Sequence, residues 1–259
     1  MNKNISSPET ILHKVTTPLT TWYQTNARLL PWRTPAGSSF RPDSYHVWIS
    51  EIMLQQTRVE AVKDYYTRFL KRLPDVSSLA GVSHDELMKL WQGLGYYSRA
   101  NNLQRAAIQI MEEYGGSFPE HYEEILTLPG IGEYTAGAIA SIAFGEAVPA
   151  IDGNVYRIYT RLCGDDSDIT KTPFKKKLRS LLSNAIPVTE PGSYNQAWMD
   201  LGATVCLPNG APLCSECPLK ELCTAYKEDS WSRYPVKPPK KKRKIEDKTI
   251  FLLEYQGTY

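Results

Sequence analysis

Four of the five cysteines fall within eighteen residues: Cys206, Cys214, Cys217 and Cys223, spaced C-x7-C-x2-C-x5-C, with Cys163 apart. Such crowding calls for a shared ligand or for disulfides. Met1 to Gln24 holds no apolar run long enough for a secretory signal, and a chain of 259 residues can bury a core without staples, so disulfides are disfavoured. Structural zinc is usually held by two paired hooks across a longer loop. One C-x2-C with single cysteines at unequal distances suits a compact [4Fe–4S] cube better. A second motif, Leu128-Pro129-Gly130-Ile131-Gly132 ahead of a helix, sets two glycines around an apolar residue in a tight turn. A helix-hairpin-helix turn of this kind aims backbone N–H groups at phosphate and grips DNA without reading its sequence. Taken alone, Gly130 or Gly132 would read as an ordinary left-handed helix cap. Third, Glu51 sits among Val47, Trp48, Ile49, Ile52, Met53 and Leu54. A carboxyl desolvated there would have the raised pKa that a general acid needs, whereas on an amphipathic helix it would face solvent. Asp152, within Pro149-Ala150-Ile151-Asp152-Gly153-Asn154-Val155, reads by itself as a helix N-cap.

The elements that must position these residues are helices. Val59, Val62, Tyr66, Phe69, Leu70 and Leu73 mark one helical face. Ser83 and Glu86 form a capping-box pattern ahead of Leu87, Leu90 and Trp91. Leu103, Ala106, Ala107 and Ile110 mark a helix stopped by Gly115-Gly116. Glu133 to Phe144, Phe174 to Ala185 and Tyr194 to Leu201 also read as helical, and strand alternation is nearly absent before Thr249 to Tyr255, so the fold class is all-α. Apolar content of 42% and charged content of 22% are those of a globular protein, and no apolar run could span a membrane. Residues 231–259 carry eight Lys/Arg against three acidic residues, which leaves the first 230 slightly acidic with 22 basic and 25 acidic. A polyanionic partner must therefore be gripped by a local surface. Residues 231–248 read as a basic, proline-rich linker, whose run Pro239 to Lys244 would be a solvated segment rather than a nuclear localisation signal. Free cysteines without a signal point to a reducing compartment, the cytoplasm, or the nucleoid in a bacterium.

In order along the chain, LPGIG, a helix, PAIDGNV, a helix and four cysteines resemble the helix-hairpin-helix base-excision DNA glycosylases that carry an iron–sulfur cluster. The resemblance covers about residues 20 to 235. Leu30-Pro31-Trp32-Arg33, Ser50 to Thr57 (SEIMLQQT) and Gly93 to Ala100 (GLGYYSRA) resemble the MutY-type adenine glycosylases. The resemblance implies two lobes, with residues 39–147 as a six-helix module and residues 8–38 with 148–230 as the cluster lobe. Residues 249–259 would begin a C-terminal domain that reads 8-oxoguanine opposite the adenine, and without it preference for 8-oxoguanine over guanine would weaken. It further implies a monomer acting on double-stranded DNA that contains an adenine mismatch, with a [4Fe–4S] cluster on the four cysteines.

Cutting an N-glycosidic bond leaves a poor anionic base and a developing oxocarbenium ion. The site needs an acid for the base and a carboxylate near the sugar. The resemblance assigns these to Glu51 and Asp152, with Asn154 orienting the site. Tyr134 stands where bifunctional relatives carry a nucleophilic lysine, and a phenol cannot form an imine, so a monofunctional enzyme is implied. Gln56 would wedge into the duplex, Tyr96 would support it or contact the opposite base, and Arg33, Trp32, Leu54 and Thr57 would line the base pocket. Gly130 and Gly132 would hold phosphate, and Lys220 and Lys227 would help. Three departures stand out: the seven-residue first cysteine gap, the long loop from Thr34 to Asp43, and a chain that stops within the first strand of the expected C-terminal domain. A mismatch thymine or uracil glycosylase, or a non-catalytic DNA-binding or redox-sensing module, are the rival readings.

Overall fold

The computed structural model describes residues 7–38, 40–239, 246, 247, 249 and 251, and among them there is no strand. The basic run from Lys240 to Lys244 and most of the expected terminal strand lie outside the described residues. The α-helices among the described residues are α1 (Pro8–Asn26), α2 (Ser44–Leu54), α3 (Val59–Arg72), α4 (Val76–Gly81), α5 (His84–Trp91), α6 (Ser98–Glu113), α7 (Tyr122–Ile125), α8 (Glu133–Ile139), α9 (Gly153–Cys163), α10 (Thr172–Ala185), α11 (Pro191–Thr204) and α12 (Thr224–Lys227). None is long and apolar enough to cross a membrane.

Local chemistry accounts for most of the ends. Ser7, Asp43, Asp75, Ser83 and Asp152 each accept a backbone N–H as N-caps. The box expected at Ser83 forms only in half, because the Glu86 carboxylate pairs with Arg72 instead of turning back to the cap. The complete capping box is Asp75 with Ser78. Glu133 to Phe144 is not one α-helix either. It widens into a π turn over Ala140–Phe144 and leaves through Gly145 at φ +73°. The widened turn brings the Ser141 hydroxyl to Asn195, whose amide donates to it at 2.8 Å.

Among the described residues two large hydrophobic cores form, with a small third cluster of Ala138, Ala150 and Met199. The first gathers α2 to α6 and α8 around Trp48, Trp91, Phe69, Leu103 and Ile139. The second gathers α1, α9, α10 and α11 around Leu12, Leu19, Tyr159, Leu178, Tyr194 and Trp198. Leu30 and Trp32 pack in the first core although they precede α2, so the chain enters that core before the long loop. The π turn lies against α11, where a Cβ on Gly192 would stand 2.8 Å from the Ser141 carbonyl oxygen, so only glycine allows this approach.

Candidate active site and cysteine cluster

A cavity of about 230 Å³ opens between the cores and is lined by Trp32, Arg33, Glu51, Leu54, Thr57, Tyr134, Asp152, Asn154 and Met199 among others. Glu51 projects from an α2 whose neighbours are nearly all apolar, and it is only 7% exposed. The Tyr134 hydroxyl donates to Glu51 Oε2 at 2.9 Å and touches Met199 Sδ at 3.6 Å. Burial raises the Glu51 pKa, while the Tyr134 hydrogen bond and the Arg33 charge oppose the rise without cancelling it. Burial and the two nearby carboxyls push the Tyr134 phenol well up, which favours the hydroxyl that donates to Glu51.

Asp152 lives differently. Its Oδ1 caps α9 by accepting from the backbone N–H of Asn154 at 2.9 Å and of Val155 at 3.0 Å, and its Oδ2 accepts from the Asn154 side-chain amide at 2.7 Å. Burial raises its pKa overall, and the three N–H donors and Arg157 oppose that rise without cancelling it. Being a cap and facing the cavity are thus one arrangement, not rival ones. Two carboxyls in unlike surroundings, one with a single hydroxyl donor and one with three N–H donors, suit an acid and an anion in the same cavity.

Asn154 continues a chain of contacts. Its Oδ1 accepts from Arg157 at 2.8 Å, and Arg157 also donates to the carbonyls of Gly202 at 2.8 Å and Cys206 at 2.9 Å. Cys206, Cys214, Cys217 and Cys223 line one apolar cavity beside α9 and α11. All are free thiols. Arg161 donates to Cys206 Sγ at 3.3 Å, and burial, joined by the neighbouring sulfurs, pushes the Cys217 thiol up to about 12. Four soft donors lining one cavity fit a thiolate-bound metal centre. Among the described residues no three or more His, Cys, Asp or Glu side chains converge on a single-ion position as they stand. Lys220 donates to the Ser215 carbonyl at 3.4 Å within the same loop.

Gln56 and Tyr96 do not line the central cavity. They stand on two turns at its edge, both with left-handed backbones, φ +57° and +47°. Neither turn is held by glycine alone. Arg99, buried, donates from Nη1 to the carbonyls of Ile52 (2.8 Å), Met53 (3.0 Å) and Gln55 (2.7 Å). Its Nη2 reaches the carbonyls of Leu94 (3.0 Å) and Gly95 (3.2 Å) and the Thr57 hydroxyl (3.3 Å). One guanidinium thus caps the end of α2 and ties both turns together, and it also lies over the rings of Trp91 and Tyr96. Trp48 and Trp91 are fully buried core residues. Gly130 takes φ +79° in the turn before α8, where a Cβ would meet Asn102, and Gly132 is the extended N-cap of α8. Arg99, Arg157 and Asp200 carry the cavity's polar framework; Arg99 falls within the GLGYYSRA stretch, but that stretch does not reveal its role, and most partners of the three lie tens of residues away.

A profile described as HhH-GPD superfamily base excision DNA repair protein matches residues 49–184. The chain belongs to that superfamily. It is 47% identical over 211 residues to the adenine DNA glycosylase of Mus musculus, covering 80% of this chain and 41% of that protein. It is 41% identical over 240 residues to the adenine DNA glycosylase of Buchnera aphidicola subsp. Schizaphis graminum, covering 92% of this chain and 67% of that protein. The chain therefore spans less than half the length of the mammalian relatives that it matches. Among solved structures, a thermostable thymine-DNA glycosylase superposes with a TM-score of 0.75 at 28% identity, covering 86% of this chain and all (100%) of that one.

Replacing Arg99 by alanine leaves several buried acceptors without a donor. The expected cost is about 3 kcal/mol, read as a lower denaturation midpoint. Arg99→Lys recovers less than half of it, because an ammonium cannot fork to two turns. An alanine variant that melts with the parent would show that the turns hold themselves.

Proposed function

We propose that this chain is a monofunctional adenine DNA glycosylase, hydrolysing the N-glycosidic bond of adenine mispaired with 8-oxoguanine or guanine in duplex DNA. The observation that carries the reading is the pairing of a desolvated Glu51 under the Tyr134 hydroxyl with a hydrogen-bonded Asp152 across one cavity. The relatives named adenine DNA glycosylases supply the choice of base.

The chemistry follows from the two carboxyls. The adenine swings out of the helix into the cavity, with Gln56 filling the gap and Tyr96 beside it. Glu51 gives its proton to a ring nitrogen of the base, which then leaves neutral as the bond to C1′ breaks. The Asp152 carboxylate faces the oxocarbenium ion and stabilises it. Water adds to C1′, and its proton returns to Glu51, leaving an abasic site. Tyr134 cannot attack C1′ as an amine would, so the strand stays uncut. The Leu128 to Gly132 turn, with Gly130 in the left-handed region, offers N–H groups to a phosphate. We assign Cys206, Cys214, Cys217 and Cys223 to a [4Fe–4S] cluster. When bound, the cluster supplies a rigid scaffold for the loop that carries Lys220 and leads to Lys227, and no step of hydrolysis passes through it.

The test is single-turnover base release from duplexes holding adenine opposite 8-oxoguanine and thymine opposite guanine, with and without alkali before separation. Adenine release, with breaks only after alkali and none from Glu51→Gln, is the expected outcome. Thymine release in place of adenine would favour the thymine reading, and breaks without alkali would contradict the assignment of Tyr134. Metal analysis of the anaerobically purified chain should find about four irons with matching sulfide, lost together in Cys217→Ser. One zinc per chain and no iron would refute the cluster.

A further inference from the structure

Asp200 is fully buried in α11, yet its carboxylate is ionised. Burial pushes its pKa up, but the hydrogen bond and charge of Arg33, with those of Arg28, outweigh this and hold it below the usual range. Oδ1 takes Arg28 Nε at 2.7 Å and Oδ2 takes the Arg28 backbone N–H at 3.0 Å. Oδ2 also takes Arg33 Nη1 at 2.7 Å. Both arginines belong to the short connection that leaves α1 and enters the first core, so a helix of the second core fixes that connection by charge.

Arg33 has a second face. Among the described residues its guanidinium donates only through Nη1, its side chain is 10% exposed, and it shares the cavity with Glu51. The groups that act on Glu51 are Tyr134 from α8, Arg33 from the connection, and Asp152 from the start of α9. Arg99 from α6 reaches the α2 carbonyls, not the carboxylate, and Lys63 from α3 pairs with Glu60. Those acting on Arg33 are Asp200, Tyr23 of α1 and Glu51. Arg33 is therefore the cation that faces the acid. A guanidinium free to turn in this cavity would form a two-pronged pair with the Glu51 carboxylate and favour loss of the acid's proton.

We propose that Asp200 is the counter-ion that keeps the Arg33 guanidinium off Glu51, so that the acid meets the base with its proton still in place. This rests on the reading of Glu51 as the proton donor. Asp200 touches neither substrate nor reacting atoms, and acts as a positioning residue through Arg33. The arrangement leaves the remaining Arg33 donors for an acceptor on the flipped base.

The experiment is the pH dependence of single-turnover adenine release by the whole chain for the parent, Asp200→Asn, Arg33→Met and the double variant. Release that falls as Glu51 loses its proton gives a basic limb. In Asp200→Asn, Arg33 turns to Glu51 and the limb moves to lower pH by about one unit or more. The double variant moves it back to the parent position or above, which a merely structural defect would not do. Arg33→Met alone moves the limb up or leaves it, and this arm stands if Asp200→Asn does not fold. An Asp200→Asn limb at the parent pH with a uniformly lower rate, or a downward shift in Arg33→Met, would overturn the proposal. A parent enzyme that releases no adenine, or has no basic limb, would instead sink the reading of Glu51.

Discussion

A carboxyl can act as an acid near neutral pH only if water poorly stabilises its anion, and the role proposed for Glu51 places that constraint on much of this molecule. Glu51 is placed in an apolar helix, covered by Tyr134 from α8, and faced across the cavity by residues from the second core. Neither core could enclose it alone. The seam between them is set by close approaches such as Gly192 against the π turn, and by Asp200 drawing in the connection that carries Arg28 and Arg33. Loosening the seam would let water reach Glu51 and return it to an ordinary, ionised glutamate.

The same seam separates two kinds of carboxyl. Asp152 begins α9 beside the second core, where three N–H donors favour its anion, while Glu51, in the first, has one hydroxyl partner. Arg157 then links the Asn154 amide to the carbonyl of Cys206, so the cysteine loop and the anionic side of the cavity share one polar frame. Arg99 plays the corresponding part on the acid's side, where it fixes the end of α2 relative to the turns bearing Gln56 and Tyr96.

Helices with apolar faces at regular spacing, such as Val59–Arg72, were legible in the sequence because local periodicity and burial agree there. The apolar run around Glu51 was legible too, but the residues alone left open whether its carboxyl faced solvent, and the packing of α2 decides that it is buried. The π turn was not legible, because it depends on α11 and Asn195 packing against it. The half-formed cap at Ser83 failed for a similar reason: Arg72, fourteen residues earlier, competes for Glu86. Only the fold reveals that Asp200 pairs with two arginines and that Arg99 donates to six acceptors.

The most direct measurement is the protonation state of Glu51 itself, followed by carbon-13 NMR of carboxyl-labelled glutamate and identified by the resonance missing from Glu51→Gln. That resonance should titrate above those of the exposed glutamates, and its midpoint should coincide with the loss of adenine release at rising pH. A Glu51 signal that titrates with the exposed carboxylates would contradict the account, because an acid already ionised has no proton to give.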